Sequence, residues 1–227
     1  MTSEEHLFEK RKFFLAIAQT LIVIGLLWLV FIANQVFMLG LNDYGLRPRE
    51  LSGLVGIFTL PFLHADYEHL FSNSLPLFFL LFGLFYFFQG KGWLILLMHY
   101  LISGVLTWVI AIMGVHIGAS GLVYGLAFFL VTISILKMEE HLMAYTLIII
   151  FLYGSIVWGF FPSLFPDKFI SWEGHLAGAI TGIILAFFYR HEGPEKKEYV
   201  WEEEEEEEEE EDGDEVEEDV SSEELRN

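Results

Sequence analysis

The chain has 227 residues, 54% of them hydrophobic and 17% aromatic, with a mean hydropathy of +0.49. That is too apolar for an ordinary water-soluble domain and indicates a membrane protein. There is no cysteine, so disulfides, thiolate catalysis and cysteine-ligated metal are excluded.

The net charge of −20 is a local property. From Glu195 onward there are 20 Asp and Glu against Lys196, Lys197 and Arg226, a net −17, and the remainder carries about −3. The body is therefore nearly neutral, and no nucleic-acid partner is expected.

In chain order, residues 1–12 are polar and end in Lys10-Arg11-Lys12. Phe13 to Met38 is an apolar run of 26 residues. It is long enough to cross a bilayer, which takes about 20 residues. It is too long for the h-region of a cleavable signal, typically about 7–15 residues, and reads as a retained span. Leu39 to Tyr67 is polar early and too short late, which predicts a partly embedded loop covered by protein. Further spans are predicted over Leu70–Phe88, Trp93–Met113, Ser120–Leu136, Leu142–Phe161 and Gly174–Tyr189. Gln89–Gly92 is a tight turn, and Pro162 to Glu173 is a loop. Residues 191–227 include ten consecutive glutamates, Glu202 to Glu211. They form an acidic tail expected to be disordered, because like charges at that density bury no apolar area.

The expectation is thus an all-α membrane protein with a six-helix domain over residues 13–190. Lys10, Arg11, Lys12, Lys91, Lys137, Arg190, Lys196 and Lys197 fall on one side of these spans. Only Arg47, Arg49 and Lys168 fall on the other. The positive-inside rule then places both termini in the cytoplasm, with the cell membrane as the expected location.

This topology sets His69 and Asn73, Ser120, and His175 at the starts of spans two, four and six, at one depth toward the outer face. Gly118-Ala119-Ser120-Gly121 puts a hydroxyl between glycines at the mouth of a helix. Taken alone, that pattern is a common packing motif. His69 and Asn73 share a helix face, as do Ser120 and Tyr124. Gly121 and Gly125 on span four, with Gly178 and Gly182 on span six, let two helices approach closely. Such an approach brings Ser120 and His175 into hydrogen-bonding reach, as nucleophile and general base require. Tyr124 can stack beside the His175 ring. The N-terminus of span four, with His69 and Asn73, can hold a developing oxyanion. Glu173 lies on another face from His175, so a dyad is expected rather than a triad. His99 and His116 are read as bystanders near span ends.

These residues resemble the rhomboid family of intramembrane serine proteases. The resemblance rests on His64-(x4)-His69-(x3)-Asn73, Gly118-Ala119-Ser120-Gly121-(x2)-Tyr124 and His175-(x2)-Gly178-(x3)-Gly182, over about residues 42–189. It implies a six-helix bundle with a water-filled cavity and catalytic Ser120 and His175. His69, Asn73 and the Ser120 backbone would form the oxyanion hole. Gly118 would shape the turn before the nucleophile, and His64 would stand near the mouth of the site. The implied substrates are transmembrane proteins cut after a small residue, in the lipid bilayer, with no metal or cofactor. Some members carry a Trp-Arg pair in the first external loop; here that region reads Tyr44-Gly45-Leu46-Arg47-Pro48.

Three alternatives stand beside this reading. A rhomboid-like pseudoprotease would bind membrane clients without cutting them, but such proteins typically lack part of the dyad or its glycine frame. A zinc site could draw on His64, His69, His99, His116 and His175, although no HExxH pattern is present. A transporter would be expected to show an internal repeat, and none is visible.

Overall fold

The computed structural model describes residues 3–164 and 171–196. The expected disordered tail falls almost wholly outside these residues, as does the middle of the loop carrying Pro166, Asp167 and Lys168.

Helix α1, Ser3–Phe37, begins ten residues earlier than the apolar run. The polar N-terminus continues the helix because it has partners on a neighbour. Glu9 accepts from the Tyr86 hydroxyl at 2.9 Å, and Lys12 stands 4.3 Å over the Tyr86 ring while pairing with Glu9 at 3.5 Å. Residues 41–62 then form 3-10 turns at Leu41–Tyr44, Leu51–Val55 and Leu60–Phe62 around the single-turn helix α2, Gly56–Thr59. This segment does not cross the bundle.

The missing Trp-Arg pair is replaced by other anchors. The Leu46 and His116 backbones exchange hydrogen bonds of 3.0 and 2.8 Å. The Arg49 guanidinium donates to the Ile112 carbonyl at 2.9 Å, just past the helix that ends at Ile110, where a cation suits the helix dipole. Trp108 donates its indole N–H to the Glu50 carbonyl at 3.0 Å.

Helix α3, Tyr67–Phe87, starts three residues before the expected position because Asp66 caps it, accepting from the His69 N–H at 2.8 Å. Helix α4 spans Gly92–Ile110 and α5 spans Ser120–Lys137. Helix α6, Glu140–Tyr153, is capped by Glu139, which accepts from the Leu142 N–H at 2.7 Å, and continues as a 3-10 segment to Phe160. Helix α7 is Trp172–Phe188.

Among the described residues, five helical segments are long and apolar enough to cross a membrane: Ser3–Phe37, Tyr67–Phe87, Gly92–Ile110, Ser120–Lys137 and Glu140–Phe160. The sixth expected span, α7, has 17 residues. At 1.5 Å per residue it is about 25 Å long, short of a hydrocarbon core of about 30 Å. It lies against α5 and α4. Leu70, Leu77, Leu80, Leu84, Leu126, Phe129, Leu130 and Ala186, on α3, α5 and α7, are fully buried. By contrast, α1 and α6 expose Leu29, Phe37, Leu147 and Phe151, which suits an apolar surrounding. The chain is an integral membrane protein.

Candidate active site

The starts of α3, α5 and α7 meet at one end of the bundle, and close contact between α5 and α7 governs the distance across it. A side chain on Gly178 would collide with the Gly121 carbonyl, and one on Gly182 with the Gly125 carbonyl. Glycine at both positions lets the two backbones touch. Gly125 serves a different neighbour: its missing side chain leaves the space that the His99 ring fills. His99 is wholly buried in the middle of α4 and donates from Nε2 to the Gly178 carbonyl at 3.3 Å. It is therefore neither terminal nor a bystander, but a wedge that ties α4 to α5 and α7.

At this crossing the Ser120 Oγ lies 3.0 Å from His175 Nε2. His175 Nδ1 lies 2.9 Å from the Gly159 carbonyl, which can only accept. The proton therefore sits on Nδ1, and Nε2 presents its lone pair to the serine hydroxyl. The Tyr124 ring stacks on His175 with centroids 4.0 Å apart and planes 7° from parallel. The Tyr124 hydroxyl donates to the Ile156 carbonyl, fixing the platform in turn. Gly159 was not singled out from sequence. A side chain there would meet both the Tyr124 hydroxyl and His175 Nδ1, so glycine is what lets this backbone reach the imidazole. A lone glycine in an aromatic-rich run carries no signal of that role.

On the other side of Ser120, Gly118 holds φ at +110°, a conformation that disfavours any side chain. A Cβ there would stand 2.6 Å from His69 Nε2 and 3.4 Å from Asn73 Nδ2. Asn73 is buried, and its Nδ2 has no partner among the described residues. A buried donor without an acceptor is costly, and here it lies beside Gly118, two residues before the serine. The first turn of α5 leaves the Ser120 and Gly121 N–H groups without intrahelical acceptors. His69 and Asn73 of α3 stand against the Gly118 turn that leads into α5.

His64 is 1% exposed, and its Nε2 accepts from the Ala119 N–H at 3.4 Å. Burial, followed by the nearby His69, pushes its pKa down to about 4, so the ring is neutral near pH 7. Its ring meets that of His69 edge-on at 5.0 Å. His64 thus lies beneath the turn that presents Ser120. Among the described residues, no three of His, Cys, Asp or Glu gather as a metal ion would require.

A small cavity of about 20 Å³ opens beside the serine. Its lining includes Ser120, Gly118, Ser103, Thr107, Tyr100 and Ser171.

A model of the Rhomboid domain matches residues 51–192. The chain is 34% identical over 183 residues to an uncharacterized protein of Mycobacterium tuberculosis, covering 77% of this chain and 74% of that one. An uncharacterized protein of Mycobacterium leprae is 34% identical over 182 residues, covering 76% of this chain and 70% of the relative. With this match spanning more than half of its length, the chain belongs to the rhomboid family.

Proposed function

We infer that the protein is an intramembrane serine endopeptidase that cleaves transmembrane segments of other membrane proteins. The observation that carries this reading is the Ser120 Oγ–His175 Nε2 pair at 3.0 Å, with the opposite ring nitrogen bound to a carbonyl. Ser120 attacks the scissile carbonyl carbon while its proton passes to His175 Nε2. The carbonyl becomes an oxyanion beside Asn73, His69 and the first N–H groups of α5. His175 then protonates the leaving amine as the C–N bond breaks, which leaves an acyl-enzyme on Ser120. Water returns by the reverse steps, releasing the acid. Gly159 takes the orienting place that a carboxylate holds in a triad, as an acceptor for Nδ1–H.

The test is cleavage of a reporter membrane protein in liposomes, with labelling by a fluorophosphonate probe and chelator in parallel. Cleavage untouched by chelator, with the label on Ser120, supports the reading. Binding of several helix-destabilised substrates without cleavage or labelling would favour a pseudoprotease instead.

Two consequences concern the site. Asn73→Ala is expected to lower kcat by roughly 10²-fold with little change in KM, because the donor is used only as the oxyanion forms. Steady-state cleavage of the reporter checks it. The cavity beside Ser120 holds a group about the size of a water or methyl, so the residue before the cut should be small. Replacing Ala by Phe there is expected to reduce kcat/KM by at least about tenfold. Equal turnover of the two reporters would contradict this.

A further inference from the structure

A second polar bridge joins the segments that carry Ser120 and His175. His116 Nδ1 lies 2.5 Å from Ser171 Oγ. Both bridges link residues 55 apart in sequence, His116 to Ser171 and Ser120 to His175. The two rungs are four positions apart on each side. Ser171 N-caps α7, and its carbonyl accepts from the His175 N–H at 3.2 Å. A serine at this position ordinarily turns its hydroxyl to the helix's own N–H groups. Here it makes no capping bond, and the hydroxyl is spent on His116 instead.

The other end of the bridge is equally anchored. The His116 backbone exchanges two hydrogen bonds with Leu46 in the first loop. His116 is 4% exposed, and its Nε2 has no partner among the described residues. Burial holds its pKa below the ordinary histidine value, against the nearby Glu173 carboxylate, which favours the charged form. A neutral imidazole buried with one ring nitrogen unsatisfied is costly to keep, and its Nδ1 bond goes to the start of α7.

We propose that His116 and Ser171 are positioning residues that set the reach of His175 to Ser120 by clamping the loop before α5 to the first turn of α7. The proposal rests on the protease reading. His116 touches no reacting atom and acts through the segment 116–120. Among the described residues, the His116–Ser171 and Ser120–His175 bonds are the side-chain hydrogen bonds that join segment 116–120 to the start of α7. Displacements of about 1 Å at such a pair are enough to cost catalysis heavily.

The test uses the full chain in liposomes with Ser171→Ala, His116→Ala, the double variant and His116→Asn. Asparagine can place an amide atom near the position of Nδ1. Both alanine variants are expected to lower kcat roughly tenfold at unchanged KM, and the double variant should lose no more than either alone. His116→Asn should recover most of the loss. Fluorophosphonate labelling of Ser120 should slow by the same factor. Additive losses, or full activity in Ser171→Ala, would overturn the clamp. Failure of the wild type to label or cleave would overturn the protease reading instead. Hydrogen exchange separates the two ideas. Ser171→Ala should speed exchange at both 114–118 and 171–175, and unchanged exchange there would sink the clamp whatever the activity.

Discussion

Ser120→Ala is expected to reduce cleavage of a transmembrane reporter by on the order of 10⁴-fold or more, which in practice means to background. His175→Ala should do the same, and the double variant should be no worse than either. The non-additivity is the informative part. A nucleophile and its base act as one unit, so removing the second member of a broken pair has little left to remove. The geometry makes this demand specific. With its proton held on Nδ1 by the Gly159 carbonyl, His175 has only Nε2 available, and that atom faces Ser120 at 3.0 Å. Thermal unfolding of Ser120→Ala should match the wild type closely, since one part-buried hydrogen bond is worth about 1 kcal/mol, whereas His175→Ala also gives up the Gly159 bond and the Tyr124 stack. Substantial cleavage by Ser120→Ala would remove the serine from the mechanism.

The second large effect concerns residues that touch no substrate. Gly178→Ala and Gly182→Ala should each lower the cleavage rate by about 10²-fold and also lower the unfolding temperature. The added methyl groups aim at the carbonyls of Gly121 and Gly125, and backbone cannot rotate aside as a side chain can. The two helices must part. Gly178 follows His175 by less than one turn, and Gly121 follows Ser120 directly, so the separation is felt at the dyad. Gly25→Ala on α1 is the control, because a methyl there meets nothing within 4 Å. Its activity should equal wild type. Measured together, initial rates and unfolding curves distinguish loss of geometry from a general helix effect. Wild-type rates in Gly178→Ala would show that α5 and α7 do not meet in this way.

Much of this arrangement was legible in the amino-acid sequence, for physical reasons. Apolar runs of membrane-spanning length mark helices wherever they lie, because lipid leaves the backbone no other partner. Span parity then put His69, Asn73, Ser120 and His175 at the same end. The glycine stripes on α5 and α7 announced a close crossing, since small residues at helical spacing serve little else in lipid. The stacking of Tyr124 on His175 followed from its one-turn offset from Ser120.

Other features needed the tertiary structure. Gly159 and Ser171 come near the site only because the 3-10 segment after α6 and the start of α7 turn back on the nucleophile. His99 looks like a stray polar residue in α4 until the hollow left by Gly125 is seen beneath it. His116 pairs with Leu46 and Ser171 across separations of 70 and 55 residues, which no local pattern encodes. The start of α1 lies ahead of its apolar run for the same reason: the helix is prolonged by Tyr86, a residue from another element. Local periodicity and the cost of backbone in lipid determine which segments are helices and roughly where they end. Side-chain partners drawn from distant elements determine how far a helix extends and which nitrogen of a histidine is free to act.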